Sequence, residues 1–530
     1  MISLTPLPPM FADWMQGRHP FEGIDVTDLL LLRSQDRGDA PFLIWEPNDA
    51  PGETWSYARF VDAAMRFGAA LRNRGVQPRE AVLIHLDNCP EALIAYYGCA
   101  VAGAVAVTTN TRSSLEELAY FASHSGVVAA VTQPCFAADV LRAAPNLRTV
   151  AVTGSDAGQP PATGHVPEPD CRFSTWLRSE PVGRMVERDP WAPMAIQYTS
   201  GTTSRPKGVL WTHANVLWSA RVNAAHQHLR ADDIYLVHLP LYHANAAAYS
   251  IQGTLWAGGT AVLVPRFSAS RFWAVSLRHR CTFTSMIWFC TRALAEHDVP
   301  PSHCYRLWGY ASYDPNIERR FGVKPIGWWG MTETISHGII GDPWMPNAPG
   351  SIGRPAPEYE IAIRQEDGGP AEVGQTGDLL IKGRPGLSLF QGYLNDASAT
   401  AASYTEDGWF KTGDLVQLRQ DGSIDFKDRS KDMLKVGGEN VAASEIERVI
   451  LTVNGVSEAA VVGKAHPMLN EVPVAFIVAR EAASDLTDRV FAVCRQQLAS
   501  FKVPVEVRVV SDLPRATLGK VAKSKLRDLL

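Results

Sequence analysis

The sequence predicts an α/β protein, with a large N-terminal domain of helix-covered sheets followed by a small α+β C-terminal domain. Three observations predict it. The chain has 530 residues, more than one domain of ordinary size holds. Through its first half, short apolar runs alternate with stretches of helical spacing, the pattern of a parallel sheet covered by helices. After about residue 430 the texture changes to a compact α+β set, long enough to bury a core of its own.

The elements follow in chain order. Residues 63–74 carry helical spacing and stop before Gly75, and AVLIHL at 81–86 reads as a short buried strand. Residues 92–107 are the most apolar run and read as a buried helix entering a core strand. The run is shorter than the ~20 residues a bilayer span needs, and Gly98 and Gly103 interrupt it. Helical 114–123, strand-like VVAAVT at 127–132, AADVLRAA from Ala137 and TVAVTG from Thr149 continue the alternation. The Gly- and Pro-rich 155–169 is expected as an exposed loop. A second alternation runs from 234 to 288: IYLVHLP, TAVLVP, helix-like SRFWAVSLR, then FTSMIW. In the last part, VSEAAVVGKAH, VPVAFIVAR, helical DRVFAVCRQQLAS and VEVRVV form the α+β set, and the polar FKDRSKDMLKVGG before them suits a joint.

Composition excludes several classes. Lys and Arg number 50 against 55 Asp and Glu, a net charge of −5 without the cation surplus of a nucleic-acid binder. The opening MISLTPLPPMFADWM has no basic region followed by an apolar core, so neither a signal peptide nor a transmembrane segment is expected. The cysteines at 89, 99, 135, 171, 281, 290, 304 and 494 show no C-x-x-C pair and no zinc spacing. They are expected as thiols of a cytoplasmic protein.

The most informative local stretch is YTSGTTSRPKGV at 198–209, directly after strand-like MAIQY. Thr199, Ser200, Gly201, Thr202 and Thr203 offer hydroxyls and backbone N–H groups that can converge on phosphate oxygens, and Lys207 adds a positive charge. It is not a Walker A loop, because Gly208 rather than Ser or Thr follows Lys207. Alone, the stretch reads equally as a solvated turn. Taken singly, other residues have structural readings too: Asp414 as a turn residue, Lys520 as a solvated lysine, Glu333 in a first helical turn. Lys431 with Asp432 reads as a surface ion pair, worth under ~1 kcal/mol.

Together they form a series. Trp329-Gly330-Met331-Thr332-Glu333 is followed by Thr412-Gly413-Asp414 and Asp428-Arg429-Ser430-Lys431-Asp432. Then come Gly437-Gly438-Glu439-Asn440, Glu445-Ile446-Glu447 and Pro514-Arg515-Ala516-Thr517-Leu518-Gly519-Lys520. In this order, from Tyr198 to Lys520, they resemble the signature series of the adenylate-forming enzymes. That superfamily holds acyl-CoA synthetases, non-ribosomal peptide synthetase adenylation domains and luciferase. In detail the sequence is most similar to acid–CoA ligases of the crotonobetaine/carnitine type.

The resemblance implies the adenylate-forming fold with a mobile small domain. Residues 1–428 would bind ATP and the acid, 429–431 would be the hinge, and 432–530 would carry a catalytic lysine and the CoA tunnel. It implies an AMP-forming acid–CoA ligase that uses ATP, Mg²⁺ and coenzyme A. The acid's carboxylate attacks the α-phosphate, pyrophosphate leaves, and the CoA thiol then displaces AMP from acyl-AMP. Lys520, Thr332, Glu333 and Lys207 would be catalytic. Thr199 to Thr203 and Lys207 would hold the leaving phosphates, with Thr332 at the α-phosphate and Glu333 on Mg²⁺. Trp329 would stack on adenine, beside Gly309, Tyr310, Ala311, Gly330 and Met331. Asp414 would accept the ribose hydroxyls with Arg429 assisting. Lys431 would be the pivot, and Gly437, Gly438, Phe501 and Lys502 would meet CoA. His243, Tyr310 and Trp328 would line the acyl pocket, and His213 would support the phosphate loop.

Two departures from the pattern stand out. Ser204 replaces a usual Gly, and Gly309-Tyr310-Ala311-Ser312 replaces a usual Gly-Gly-Ala-Pro, so Tyr310 should narrow the pocket. Trp288, Phe289, Trp308, Tyr313 and Trp328 are candidate neighbours or core. This aromatic density suits either a small betaine-like acid held by cation–π contacts or a flat aryl or alicyclic acid. Partners are then a small acid, ATP and CoA, with a homodimer compatible. Two other functions share the motifs: an adenylation enzyme loading a carrier protein's phosphopantetheine thiol, and a non-catalytic nucleotide-binding protein.

Overall fold

The computed structural model describes residues 1–11, 18–113, 115–161, 168–181, 183–199, 206–429, 433–436, 439–467, 469–481, 485–498, 500–515 and 521–530. At 428, 429, 433, 435, 439, 440 and 442 it describes the backbone alone. The chain divides into two compact units. The larger comprises 1–199, 207–360 and 382–410, and the smaller is built mainly from 361–381 and 411–530.

Among the described residues, the larger unit holds two sheets. In one, parallel strands Pro193–Thr199, Val105–Thr108, Ala81–His85, Val127–Thr132 and Thr149–Val152 lie side by side in that order. Every residue of Ala81–His85 and Val105–Thr108 is buried, as expected of strands covered on both faces. Lys207–Thr212 returns antiparallel to Pro193–Thr199, with Thr199 opposite Lys207 at the end where the 198–209 motif connects the two strands.

The apolar run at 92–107 is helix Pro90–Ala102 followed by strand Val105–Thr108. The helix expected at 63–74 starts earlier, as Tyr57–Asn73, because the Ser56 hydroxyl accepts the Arg59 N–H at 3.3 Å and caps it. Of the expected loop, 162–167 lie outside the described residues.

The second sheet carries the later alternation. Leu307–Tyr310 lies between Phe283–Ser285 and Lys324–Gly330, parallel to both, and His337–Ile340 pairs antiparallel with Lys324–Gly330. The strand expected through Trp288 ends at Ser285, where its pairing with Leu307–Tyr310 stops, and Trp288 instead opens helix Trp288–Ala295.

The smaller unit contains the α+β set. Strands Val456–His466 and Asn470–Ala479 pair antiparallel, and Glu506–Val510 adds in parallel. Helices Ala443–Ile450 and Leu486–Gln497 bury Ile446, Ile450 and Val490 against Val461 and Ile477. A second sheet joins Glu360–Arg364, Thr376–Lys382, Phe410–Leu418 and Ile424–Arg429. Its strands bring 361–381 and 411–428, which the sequence reading leaves in the large domain, into this unit. No described helix is long and apolar enough to cross a membrane.

Candidate active site

In the larger unit, side chains far apart in sequence converge on one carboxylate. Glu333 sits in the short turn Thr332–Thr334 and is 4% exposed. Tyr393 donates its hydroxyl to Glu333 Oε1 at 3.0 Å, and the Phe390 N–H donates to the Glu333 carbonyl at 2.8 Å. Burial and the Glu333 charge push the Tyr393 hydroxyl far up, so it stays a donor. Lys207, at the mouth of the hairpin, places its Nζ 4.5 Å from the centre of the Tyr393 ring. The Trp211 indole N–H holds the Thr332 carbonyl at 2.9 Å. One hairpin thus supplies a cation and a clamp to the turn that carries the acid.

The turn is strained. Ile335, fully buried and β-branched, has φ +65° and ψ −39°, and the Ser336 N–H reaches back to the Thr334 carbonyl at 2.6 Å. This is a γ-turn with its central residue at positive φ, a rare and costly form. The Thr334 hydroxyl accepts the Met331 N–H at 3.0 Å and fixes the other side of the turn. Such strain persists where the surroundings over-determine a functional geometry.

A wall of rings lies beside it. A Cβ built on Gly309 would stand 1.6 Å from Trp328 Cη2, so the indole lies directly across this glycine. Trp328 stacks on His337 at 4.5 Å and 14°, and Tyr249 meets His337 at 4.1 Å. Tyr249 comes from the π-helix Asn245–Gln252, a wound form common at functional sites, and its hydroxyl presses on Gly330. Burial holds His337 well below the ordinary imidazole range, so the ring is neutral.

Strand alternation explains what Gly309 and Tyr310 do. Trp308 joins an aromatic core with Phe272, Trp273 and Phe321. Tyr310, two residues on, shares that face and sets its hydroxyl 3.2 Å from the Thr291 hydroxyl of helix Trp288–Ala295. Gly309 faces the other way, toward Trp328. Trp288 and Phe289 are exposed, and Tyr313 donates to Glu318 at 3.0 Å.

In the smaller unit, the backbone register sets Asp414 directly opposite Arg429 on neighbouring strands. Asp414 is buried, and its N–H donates to the Thr412 hydroxyl at 3.1 Å. Gly413 between them has φ +71°, which lets the strand kink at this point. Lys502 Nζ is paired to Glu445 at 2.7 Å, and Phe501 beside it is exposed.

Residues 32–394 match the model of the AMP-binding enzyme family, and 445–520 match the C-terminal domain of AMP-binding enzymes. The chain belongs to the AMP-binding enzyme family. A crotonobetaine/carnitine–CoA ligase of Citrobacter koseri is 33% identical over 504 residues, covering 92% of this chain and 96% of that protein. The o-succinylbenzoate coenzyme A synthetase of Bacillus subtilis, solved with AMP, has a TM-score of 0.81 at 26% identity, covering 94% of this chain and 98% of its own. A benzoate CoA ligase from Burkholderia xenovorans has a TM-score of 0.81 at 25% identity, covering 95% and 100%. This AMP-binding enzyme is therefore an AMP-forming acid–CoA ligase, using ATP with Mg²⁺ and passing an acyl group from acyl-AMP to CoA.

The remaining site residues of this AMP-binding enzyme fall as follows. Trp329 is buried on the strand face opposite Trp328, opposite Ile339 in the register. Thr199 ends its strand, its hydroxyl 3.4 Å from the Lys207 carbonyl. The Gly309 carbonyl accepts the Met286 N–H at 2.8 Å, and Ala311 follows the strand exposed. The His243 carbonyl accepts the Ala247 N–H at 3.0 Å, starting the helical segment that carries Tyr249.

His213, expected to support the phosphate loop, follows the far end of strand Lys207–Thr212, where its Nδ1 accepts the Val26 N–H at 3.4 Å; most of the loop itself lies outside the described residues. Ser200, Gly201, Thr202, Thr203, Ser204, Lys431, Gly437, Gly438 and Lys520 lie outside the described residues, as does the side chain of Arg429. Tyr393, Trp211, Tyr249 and His337 escaped sequence reasoning. Tyr393, Trp211 and Tyr249 act on residues distant in the chain, His337 acts across the pairing of its strand with Lys324–Gly330, and no local spacing marks any of them.

The donor chemistry fits Mg²⁺. Glu333 offers one fixed hard-oxygen ligand, and among the described residues no group of three His, Cys, Asp or Glu could hold a metal alone. One carboxylate plus substrate phosphates and water is the usual Mg²⁺ shell.

Proposed function

We propose that this ligase activates a small, compact carboxylic acid, betaine-like or aryl, and transfers it to free CoA in the cytoplasm. The observation that carries the compact-acid reading is the Trp328 indole lying across Gly309, backed by His337 and Tyr249. Three rings behind a glycine leave room for a short body and oppose a long chain. Rings also suit both a flat acid and a quaternary ammonium, the latter at ~0.5–2 kcal/mol per cation–π contact. The relatives are named for crotonobetaine or carnitine, o-succinylbenzoate and benzoate, none of them a long straight-chain acid. The free thiols Cys89, Cys99 and Cys281 accord with a reducing compartment.

In this reading Lys207 and the 199–203 backbone hold the leaving pyrophosphate, Thr332 meets the α-phosphate and Glu333 holds Mg²⁺. The metal, when bound, would neutralise phosphate charge as the carboxylate approaches. Tyr393 fixes the Glu333 carboxylate, and the strained turn keeps it from relaxing away. Trp329 stacks on adenine beside Gly330 and Met331, with Ala311 close by, while Asp414 and Arg429 take the ribose. Lys520 meets the carboxylate and α-phosphate oxygens during adenylation. The 432–530 segment then turns about 429–431, with Lys431 as pivot, and Gly437, Gly438, Phe501 and Lys502 receive CoA. His243 and Trp328 border the acyl group, and Tyr310 supports that border from the helical side.

A thioester assay over carnitine, short-chain, long-chain and aryl acids, with AMP and pyrophosphate both measured, tests the proposal. One compact class should dominate, and CoA should saturate in the micromolar-to-millimolar range. Preference for long straight chains overturns the compact-acid reading, and failure to saturate with free CoA favours a carrier-protein thiol.

A further inference from the structure

Tyr393 reaches the Glu333 carboxylate from an element with little ladder to hold it. Gly392–Tyr393 is a two-residue strand at the edge of the sheet, beside Lys207–Thr212. The flanking Gln391 and Leu394 N–H groups donate inward, to the Leu210 and Gly208 carbonyls at 2.9 and 2.8 Å. The Tyr393 N–H and carbonyl therefore point outward, where an edge strand has no neighbour to pair with. Left unmatched in a buried place, such groups cost stability and leave the strand free to shift.

Two threonine hydroxyls fill that place. Thr400 Oγ1 accepts the Tyr393 N–H at 2.9 Å. Thr5, 388 residues away in the chain, donates its hydroxyl to the Tyr393 carbonyl at 2.8 Å. The same two side chains close on Gly392, where a Cβ would stand 3.1 Å from Thr5 Cβ and 3.2 Å from Thr400 Cγ2. Thr5 is itself fixed. It is buried, and Gln391 Nε2 donates to its carbonyl at 3.4 Å. On one side of it Ile2 is buried in the sheet's core, its N–H on the Arg79 carbonyl at 2.6 Å. On the other, Phe11 meets Tyr404 edge-on at 4.9 Å.

A tyrosine ring is placed by its Cα and two torsions, so a held carbonyl fixes the root of the phenol. That phenol donates to Glu333 at 3.0 Å, and its ring faces Lys207 at 4.5 Å. We propose that Thr5 is a positioning residue of the ATP site, holding the Tyr393 backbone so that the phenol orients Glu333 and meets Lys207. The inference rests on the reading of Glu333 as the Mg²⁺ carboxylate. Thr5 touches no reacting atom and acts through Tyr393.

Thr5→Val keeps the shape and removes the hydroxyl, while Thr5→Ser keeps the hydroxyl. Thr5→Val should lower kcat/KM for Mg·ATP in acyl-AMP formation by about three- to tenfold and spare the reaction of supplied acyl-AMP with CoA. Thr5→Ser should stay within about twofold of wild type. In a Tyr393→Phe chain, Thr5→Val should still lower the urea midpoint but change kcat/KM by less than about twofold, because no phenol remains to be placed. Metal-free crystals should show Tyr393 Oη beyond hydrogen-bond reach of Glu333 in Thr5→Val and within it in Thr5→Ser. Glu333→Gln tests the underlying reading separately and should raise the Mg²⁺ needed for half-maximal acyl-AMP formation by about tenfold or more. An unchanged Mg²⁺ requirement there overturns the Glu333 reading. The expected rise there overturns the role of Thr5 if Thr5→Val keeps wild-type kcat/KM, if its phenol has not moved, or if its loss and that of Tyr393→Phe multiply.

Discussion

Gly309→Ala gives the sharpest test of the ring wall. The added Cβ would stand 1.6, 2.1 and 2.2 Å from three carbons of the Trp328 six-membered ring. Carbon atoms rest at about 3.5–4 Å, so the indole must retreat by about 2 Å. It has little room to do so, because His337 is stacked behind it at 4.5 Å and Tyr249 stands at 5.8 Å. Overpacking of this kind costs about 1–3 kcal/mol, and a rigid bicyclic neighbour places the cost at the upper end. Urea unfolding should show that loss, and the KM for the preferred acid should rise about tenfold or more as the indole is displaced. Trp328→Leu in the same chain should relieve the clash, giving a coupling energy above about 1 kcal/mol in a double-mutant cycle. A Gly309→Ala enzyme with the wild-type urea midpoint and KM would refute the placement of Trp328 and, with it, the compact-acid argument.

Four further outcomes are expected. Tyr393→Phe removes a buried hydrogen bond to the Glu333 carboxylate. It should cost about 1.5–3 kcal/mol, read as about tenfold or more in kcat/KM for Mg·ATP, and an unchanged value would sever Tyr393 from the site. Lys520→Ala should lower acyl-AMP formation by roughly 10²-fold while sparing the reaction of supplied acyl-AMP with CoA. Lys431→Pro should do the reverse, since a pivot must change φ and proline fixes it; equal loss of both half-reactions in either variant contradicts a turning domain. His238 is buried, and desolvation lowers it to about 3, against ~6.5 unfolded. Between those values the unfolded chain binds a proton that the folded one refuses. Burying it is therefore neutral above pH ~6.5 and destabilises the fold by about 1.4 kcal/mol per unit as the pH drops from there toward 3. His238→Leu should lose less stability than the parent between pH 7.5 and 5.5 in urea melts, and an identical loss would show that His238 is not the group titrating.

Much of this enzyme is readable along the chain. The alternation of apolar runs predicts the parallel sheet because residues buried on both faces must be apolar throughout, as in Ala81–His85. The motifs are readable because phosphate, ribose and metal demand particular residue types close together. The hairpin around 198–209 and the Asp414–Arg429 pairing occur where strand connections put them. His213 shows the limit of such reading: it neighbours the motif in sequence, yet a whole strand separates it from the hairpin mouth.

What sequence reading could not reach depends on contacts between distant segments. Tyr310 is the conspicuous residue in its stretch, but strand phase turns it toward Thr291 and leaves Gly309 to face Trp328. Tyr393 reaches Glu333 across 60 residues, and Ile335 adopts a conformation its own side chain disfavours. The order of residues determined the class of chemistry and the succession of helices and strands, since both arise from groups adjacent along the backbone. Packing and register determined which rings crowd Gly309 and what holds the buried Glu333 carboxylate. Those depend on distances that exist after sheets have paired and helices have chosen their faces.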